Sequence, residues 1–140
     1  MNKVIIIIGS SVREHIICEK LTNQKLIIIS DFVNPKIHQI CFKYFVCNLT
    51  NHTILQKIHT IQKNYEIEYV VMNQEKFIGN GLVDELQLYN IQSIGPLKKY
   101  GKIEWSKTFA RNLINDYGLS NFNPSYQYFN QNDELKISDY

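Results

Sequence analysis

Short apolar runs alternate with helix-compatible segments over the first two thirds of the chain. The first run, Val4–Ile8, contains only Val and Ile and ends at the small residues Gly9, Ser10 and Ser11. Short, uniformly apolar and β-branched runs are typical of parallel strands that are buried on both faces of a sheet. Further runs of this kind lie at residues 25–30, 44–47, 68–72 and 92–94.

Segments with helical periodicity lie between these strands. They are predicted at residues 12–21, 35–42, 53–63 and 79–89. The alternation predicts an α/β fold, a Rossmann-like domain with a parallel five-stranded sheet and helices on both faces. In a doubly wound sheet the chain changes direction between the first and fourth strands, so the loops after Ile8 and Met72 meet across one crevice. The ligand site is predicted there.

The remaining third of the chain has a different character. Gly95-Pro96 marks a stop, which divides the sequence into a domain at 1–96 and an appendage at 97–140. In the appendage we predict an amphipathic helix at 103–117, a short aromatic strand at 125–129 and a polar tail at 130–140 that frays.

Composition narrows the class of protein. The chain has 140 residues, 44% hydrophobic content and a formal net charge of +2 from scattered charges, which fits a globular domain without a nucleic-acid partner. Its apolar runs are too short to span a membrane. The odd number of cysteines, with no C-x-x-C pair, fits reduced thiols, and we expect a cytoplasmic protein. The abundance of Ile, Asn and Lys suggests an AT-rich genome, and a viral or parasitic origin would suit it.

A metal site is not expected. The four candidate ligands do not follow a common zinc spacing, and cysteine is often a small buried apolar residue. These candidates are His38, Cys41, Cys47 and His52.

The turn after the first strand carries the clearest candidate chemistry. Backbone N–H groups at the start of a helix favour anions, and an adjacent arginine suits a phosphate or carboxylate. Here Arg13 follows the turn directly, with Glu14 and His15 after it. For His15 a structural hydrogen bond is favoured over a catalytic role.

Three motifs carry a resemblance to one enzyme family. The family's first turn reads G-S/N-G-G/A-R-E-H-A, and residues 9–16 here read G-S-S-V-R-E-H-I. The family's loop after the fourth strand reads V-V-G-P-E-x-P-L-x-x-G-x-x-D, which is matched here by Glu75, Gly81 and Asp84. The third block opens in the family with G-P and ends with E-x-S-K-x-F-A-K; it is the most specific of the three and is matched here by Gly95, Pro96, Glu104, Ser106, Lys107, Phe109, Ala110 and Arg111.

With these motifs the chain resembles the amino-terminal part of the phosphoribosylamine-glycine ligases, ATP-grasp enzymes of purine synthesis. The resemblance implies a pre-ATP-grasp domain followed by the start of an ATP-grasp lid. In the family, phosphoribosylamine and glycine are joined with ATP and magnesium through a glycyl phosphate. Most of the ATP and magnesium site lies in later domains, so we expect this chain alone to have no catalytic residues, to bind no cofactor and not to be a complete ligase.

The resemblance also implies which residues bind ligand. A phosphoribosyl or nucleotide phosphate would lie near the first turn, with Glu75 accepting hydrogen bonds from the substrate amine or ribose hydroxyls across the crevice. Lys107 matches a lysine that contributes to nucleotide phosphate binding, and Asp84 is expected to bond locally or face solvent. The substrate-binding residues are expected to be Gly9, Ser10, Ser11, Arg13, Glu14 and Glu75.

A non-catalytic scaffold that kept the fold and lost the pocket is the alternative. The chain departs from the family at Ser11 and Val12, where a Cβ replaces close backbone approach, and at the lost Gly-Pro of the second loop. A crevice filled by Val12 or Phe77 would favour this alternative. We also expect a homo-oligomer, a symmetric dimer that buries Trp105 and the aromatic residues after it.

Overall fold

A computed structural model describes residues 2–129 of the chain. The chain divides into two compact units, of which the first ends at Gly101 and the second begins at Lys102. The sequence places this boundary after Pro96. The first unit contains the whole sheet.

The sheet has five strands, and every neighbouring pair is parallel. The strand order is β3-β2-β1-β4-β5, so the predicted parallel five-stranded α/β fold is confirmed. The strands are β1 (Lys3–Ile8), β2 (Leu26–Ser30), β3 (Lys43–Val46), β4 (Glu66–Met72) and β5 (Ser93–Ile94).

Five helices belong to the first unit: α1 (Val12–Lys20), α2 (Pro35–Ile40), α3 (Asn51–Gln62), α4 (Glu75–Gly79) and α5 (Leu82–Leu88). The prediction of one helix over 79–89 is wrong. Gly81 adopts a left-handed conformation with φ of 78°, which separates α4 from α5.

Successive residues of β1 point to opposite faces of the sheet and enter two separate cores. Val4, Ile6 and Ile8 pack with apolar residues of α3, α4 and α5. Ile5 and Ile7 pack with residues of α1 and α2 on the other face. Helices therefore cover both faces of the sheet, which explains why β1 is apolar throughout.

The central pair of strands positions the crevice. Ile8 is in register with Met72, the last residues of β1 and β4. Because both strands run in the same direction, the loops after them leave the same edge of the sheet. The predicted meeting of these two loops is confirmed.

The second unit contains α6 (Lys102–Trp105), α7 (Lys107–Asp116) and a short 3-10 helix (Ser120–Phe122). The prediction of one helix over 103–117 is wrong, because Ser106 has an extended backbone between α6 and α7. Its hydroxyl accepts a hydrogen bond from the backbone N–H of Phe109 at 3.3 Å, which starts a new helix.

The aromatic strand predicted at 125–129 is also wrong: residues 124–129 join no helix or strand of the described chain. Their aromatic side chains bond to α7 instead. The Tyr126 hydroxyl accepts a hydrogen bond from Asn115 Nδ2, and the Tyr128 hydroxyl donates one to Asn112 Oδ1, each over 2.7 Å. The tail predicted at 130–140 lies outside the described residues. None of the described helices is long and apolar enough to cross a membrane.

Candidate functional site

Gly9 forms the turn between β1 and the segment that leads into α1. Its φ of 108° lies in the region that favours glycine. A Cβ at Gly9 would lie 2.8 Å from Gln74 Nε2 and 3.1 Å from Glu14 Cδ. Two polar side chains therefore stand directly against this residue, one from the loop after β4 and one from α1.

Glu14 caps the amino-terminus of α1. Its Oε2 accepts a hydrogen bond from the backbone N–H of Ser11 at 2.7 Å and a second, short one from the Ser11 hydroxyl. Only 1% of Glu14 is exposed. The carboxylate takes the place that an external anion would occupy at this helix end, so the Ser11 N–H is not available to a phosphate.

Arg13 lies on the exposed side of the same turn. Its Nη1 is 3.5 Å from Glu75 Oε1 and donates to the Asn73 carbonyl oxygen at 3.4 Å. The pKa of the Glu75 carboxyl lies below its ordinary value, first because of a hydrogen bond with its own backbone and then because of Arg13. Glu75 is thus held as a carboxylate beside an exposed guanidinium.

Ser10 links the first turn to the loop after β2. Its hydroxyl donates to the Phe32 carbonyl oxygen at 3.2 Å, and its own carbonyl oxygen accepts from Asn34 Nδ2 at 2.9 Å. The Tyr44 hydroxyl and Ser30 Oγ also donate to the Phe32 carbonyl, over 3.0 and 2.5 Å. These contacts fix the loop after β2 against the edge of the crevice.

The side chains that lie over Gly9 are not the ones that the scaffold alternative predicts. Val12 is 72% exposed, and Phe77 is buried in the core under α3 and α5. Gln74 and Glu14 occupy the space over Gly9 instead. The sequence predicts residues 73–75 at the crevice but gives Gln74, which stands where the family pattern has proline, no role of its own. Its place beside Gly9 depends on two loops 65 positions apart that only the fold brings together.

The other predicted residues lie elsewhere. His15 pairs with Glu19 one turn along α1, Nε2 to Oε1 at 3.3 Å, which fits a structural role. Asp84 accepts a hydrogen bond from the Lys98 backbone N–H at 2.8 Å and is a contact within the first unit.

Lys107 is exposed at the start of α7, in the second unit. Among residues 2–129, no group of three or more His, Cys, Asp or Glu side chains could hold a metal ion.

Residues 3–104 match the family model described as the phosphoribosylglycinamide synthetase N domain. The chain belongs to this family. A phosphoribosylamine–glycine ligase of Methanocorpusculum labreanum is 33% identical over 129 residues, which cover 90% of this chain and 29% of that protein. The ligase of Methanosarcina acetivorans is 30% identical over 135 residues, covering 94% of this chain and 30% of that protein. The chain spans about 30% of the length of these relatives.

A solved structure has the same fold. It is the N5-carboxyaminoimidazole ribonucleotide synthetase from Thermotoga maritima, with a TM-score of 0.57 and 15% identity, covering 100% of this chain and 36% of that one. The phosphoribosylglycinamide synthetase N domain therefore accounts for the three sequence motifs and for the Rossmann-like sheet.

Proposed function

We propose that this chain binds the phosphoribosyl substrate of a purine-synthesis ligase, phosphoribosylamine or a compound of the same class. The observation that carries the proposal is the contact of Arg13 with Glu75 between the loops that follow β1 and β4, with Glu14 and Gln74 both against Gly9 at the same place. This places one exposed cation and one buried carboxylate at a single crevice, at the carboxyl edge of a parallel sheet, where open α/β folds bind ligands.

The phosphate would bind to Arg13 rather than to the turn. The Ser11 N–H already bonds to Glu14, whereas the Arg13 side chain is 65% exposed. An exposed ion pair such as Arg13–Glu75 contributes about 0–1 kcal/mol, so a phosphate dianion can replace Glu75 as the partner of the guanidinium. Gly9 and Ser10 would shape the turn, and the buried Ser10 hydroxyl, which donates to the Phe32 carbonyl oxygen, would not contact the phosphate.

The reaction itself would require more than the described residues. Ligation of phosphoribosylamine with glycine is the activity named for relatives of which this chain spans about 30%. In our proposal this chain holds the phosphoribosyl substrate, while the ATP and magnesium chemistry belongs to parts that resemble the rest of those relatives. The chain alone would not be a complete ligase.

Calorimetric titration with ribose 5-phosphate and with inorganic phosphate tests the proposal. We expect both to bind the wild-type chain and both to bind Arg13→Ala at least about tenfold more weakly, since a charge-assisted contact is lost. Lys20→Ala removes the same charge from an exposed position in the last turn of α1 and serves as the matched control. Absence of binding at millimolar concentrations, or equal loss in both variants, would overturn the proposal.

A self-associating scaffold is the second candidate, and exposed aromatic residues favour it. In the second unit Tyr117 is 75% exposed and Phe122 is 80% exposed. A dimer that covers such side chains would remove apolar surface from water. Light scattering at micromolar concentration is expected to give twice the monomer mass, and Phe122→Ser is expected to shift it towards the monomer. A strictly monomeric wild-type chain would exclude this candidate.

A further inference from the structure

A cavity lies beside β5, the strand at one edge of the sheet. Its volume is about 700 Å³, which is within the range of cavities that hold small ligands. Among residues 2–129, those that line it include none of the crevice residues 9–14 and 73–75. The cavity is therefore separate from the site proposed for the phosphoribosyl group.

The walls of this cavity are neutral. Among the described residues, those that line it include no Asp, Glu, Lys, Arg or His. They include the side-chain amides of Gln87, Asn90 and Gln92 and the apolar side chains of Val83 and Ile91. A charged ligand would lose its water here without gaining a counter-ion, so the cavity suits an uncharged molecule with both polar and apolar parts.

The cavity extends across the open edge of β5. Val83 packs in the core that contains residues of α3, α4 and α5. Tyr69 of β4 is in register with Ile5, which packs in the core on the opposite face of the sheet. Because Val83 and Tyr69 both line the cavity, it reaches from one face of the sheet to the other past the edge strand.

Ser93 directs its backbone groups to this edge. It is in register with Val70 of β4, and the Val70 N–H donates to the Gln92 carbonyl oxygen at 2.9 Å. In a parallel ladder this arrangement directs the N–H and C=O of Ser93 away from β4. No strand lies beyond β5 in the part of the chain that the structure describes, so both groups lack a strand partner. The cavity is thus bordered by one backbone donor beside one backbone acceptor.

The shortness of β5 decides which kind of ligand can use this pair. An extended peptide that adds a strand to a sheet pairs with several residues of the edge strand. Here β5 consists of Ser93 and Ile94 alone, and the Ile94 backbone groups are directed to β4. A compact planar molecule that carries a donor beside an acceptor needs only one such residue. Tyr69, which is 39% exposed, offers an aromatic ring against which a planar molecule can stack.

We propose that this cavity binds an uncharged planar heterocycle of the nucleobase class through the backbone of Ser93. The base accepts a hydrogen bond from the Ser93 N–H and donates one to the Ser93 carbonyl oxygen. Its ring lies against Tyr69, and the amides of Gln87 and Gln92 bond to its remaining polar groups. The inference does not depend on the proposed function, which concerns the charged side chains of the loops after β1 and β4.

NMR titration of the full chain with 9-methyladenine tests the proposal, because this base carries an N–H donor beside a ring acceptor and has neither sugar nor phosphate. The largest saturable backbone amide shifts are expected on residues 91–95. N6,N6,9-trimethyladenine has the same ring system without the donor and is expected to bind at least about tenfold more weakly. Equal affinity for the two bases, largest shifts on residues 9–14 and 73–75, or no saturable shift at millimolar 9-methyladenine would overturn the proposal.

Two variants of Ser93 test the backbone contact. Ser93→Pro removes the N–H at an edge position where no ladder hydrogen bond is lost, and it is expected to weaken 9-methyladenine at least about tenfold. Ser93→Ala keeps the N–H, removes only the hydroxyl and is the matched control, with an affinity within about twofold of the wild type. Equal affinities of the two variants would overturn the proposal. If circular dichroism shows that Ser93→Pro does not fold, the comparison of the two bases decides alone.

Tyr69→Ala tests the stacking. It is expected to weaken 9-methyladenine about tenfold, since an aromatic contact with a base is lost. Tyr117→Ala removes a 75% exposed tyrosine that does not line the cavity, and it is expected to leave the affinity unchanged. Wild-type affinity in Tyr69→Ala would overturn the placement of the ring against Tyr69.

Discussion

Arg13 Nη1 lies 3.5 Å from Glu75 Oε1, across 62 positions of sequence. The contact joins the start of α1 to the start of α4, and it exists because β1 and β4 are parallel neighbours that end at the same edge. The contact holds the exposed Arg13 guanidinium at the rim of the crevice, whereas the neighbouring Glu14 carboxylate is buried. The ion pair is exposed, so it contributes little to the stability of the fold.

Replacing Arg13 by alanine is expected to raise the pKa of Glu75 only in part. The hydrogen bond with the Glu75 backbone, the larger cause of the lowered pKa, remains in the variant. NMR titration of the side-chain carboxyl would show a pKa below the ordinary 4.5 in the wild type and a value between the two in Arg13→Ala. An unchanged Glu75 pKa in Arg13→Ala would contradict the pairing of the two side chains.

The same shift sets the direction of an acid effect on stability. The pKa of Glu75 is lower in the folded chain than its ordinary value. Its contribution to the free energy of unfolding is therefore present above the ordinary pKa and is lost as the pH falls through the pKa of the folded chain. In urea unfolding at a series of pH values below about 4.5, Glu75→Gln is expected to lose less stability than the wild type as the pH falls. An equally steep loss of stability in Glu75→Gln would show that Glu75 does not contribute to the acid effect.

Gly9→Ala is expected to destabilise the fold more than Gly81→Ala. Both residues have positive φ, at 108° and 78°, but a Cβ at Gly81 would have no atom nearer than 3.6 Å. At Gly9 the Gln74 side chain can move aside, whereas Glu14 is held by Ser11. We expect a loss of about 1–2 kcal/mol for Gly81→Ala and at least about 1 kcal/mol more for Gly9→Ala, measured by urea unfolding. Equal losses would contradict the close packing over Gly9.

Cys18 is expected to resist alkylation in the folded protein. It is fully buried, and burial, followed by the neighbouring Cys41 and Glu14, raises its pKa from 9.0 to about 11. Its thiolate fraction near pH 8 is then about a hundredfold lower than that of an ordinary thiol, and access is blocked as well. Mass spectrometry after timed iodoacetamide treatment would show slow labelling of Cys18 in the folded chain and ordinary labelling in urea. Equal rates in the two conditions would contradict its burial.

Asn34→Ala is expected to loosen the loop after β2. Asn34 Oδ1 accepts from the Lys36 and Ile37 backbone N–H groups at the start of α2, and its Nδ2 donates to the Ser10 carbonyl. Loss of a helix cap and of one further hydrogen bond is expected to cost about 1–3 kcal/mol in urea unfolding. A matched alanine at Asn48, an exposed residue before α3 whose contacts use its backbone carbonyl, should cost less. Equal losses would show that the Asn34 side chain does not hold the loop.

The parallel α/β fold could be predicted from sequence because short apolar runs alternate with helical segments. Val4–Ile8 is apolar on both faces, which predicts a strand that is covered on two sides. In the structure this strand, β1, lies in the middle of the sheet and packs into both cores. Helix boundaries in the later part could not be predicted in the same way. The breaks at Gly81 and Ser106 depend on single residues whose conformation competes with a continuing helical pattern.

The candidate site was predictable as a place but not as a set of contacts. The meeting of the two loops follows from topology, and Arg13 and Glu75 follow from their positions after β1 and β4. The division of roles between Glu14 and Glu75 does not, since it depends on which carboxylate turns back to Ser11 and which reaches Arg13. Gln74 lies over Gly9 only because of side-chain packing across the crevice.

The most direct measurement of the central claim is backbone amide NMR during titration with ribose 5-phosphate. If the crevice binds the phosphoribosyl group, the largest saturable shifts will fall on residues 9–14 and 73–75, and in Arg13→Ala they will need at least about tenfold more ligand to saturate. Shifts that fall elsewhere, or no saturable shifts at millimolar ligand, would contradict the claim that this domain holds a phosphoribosyl substrate.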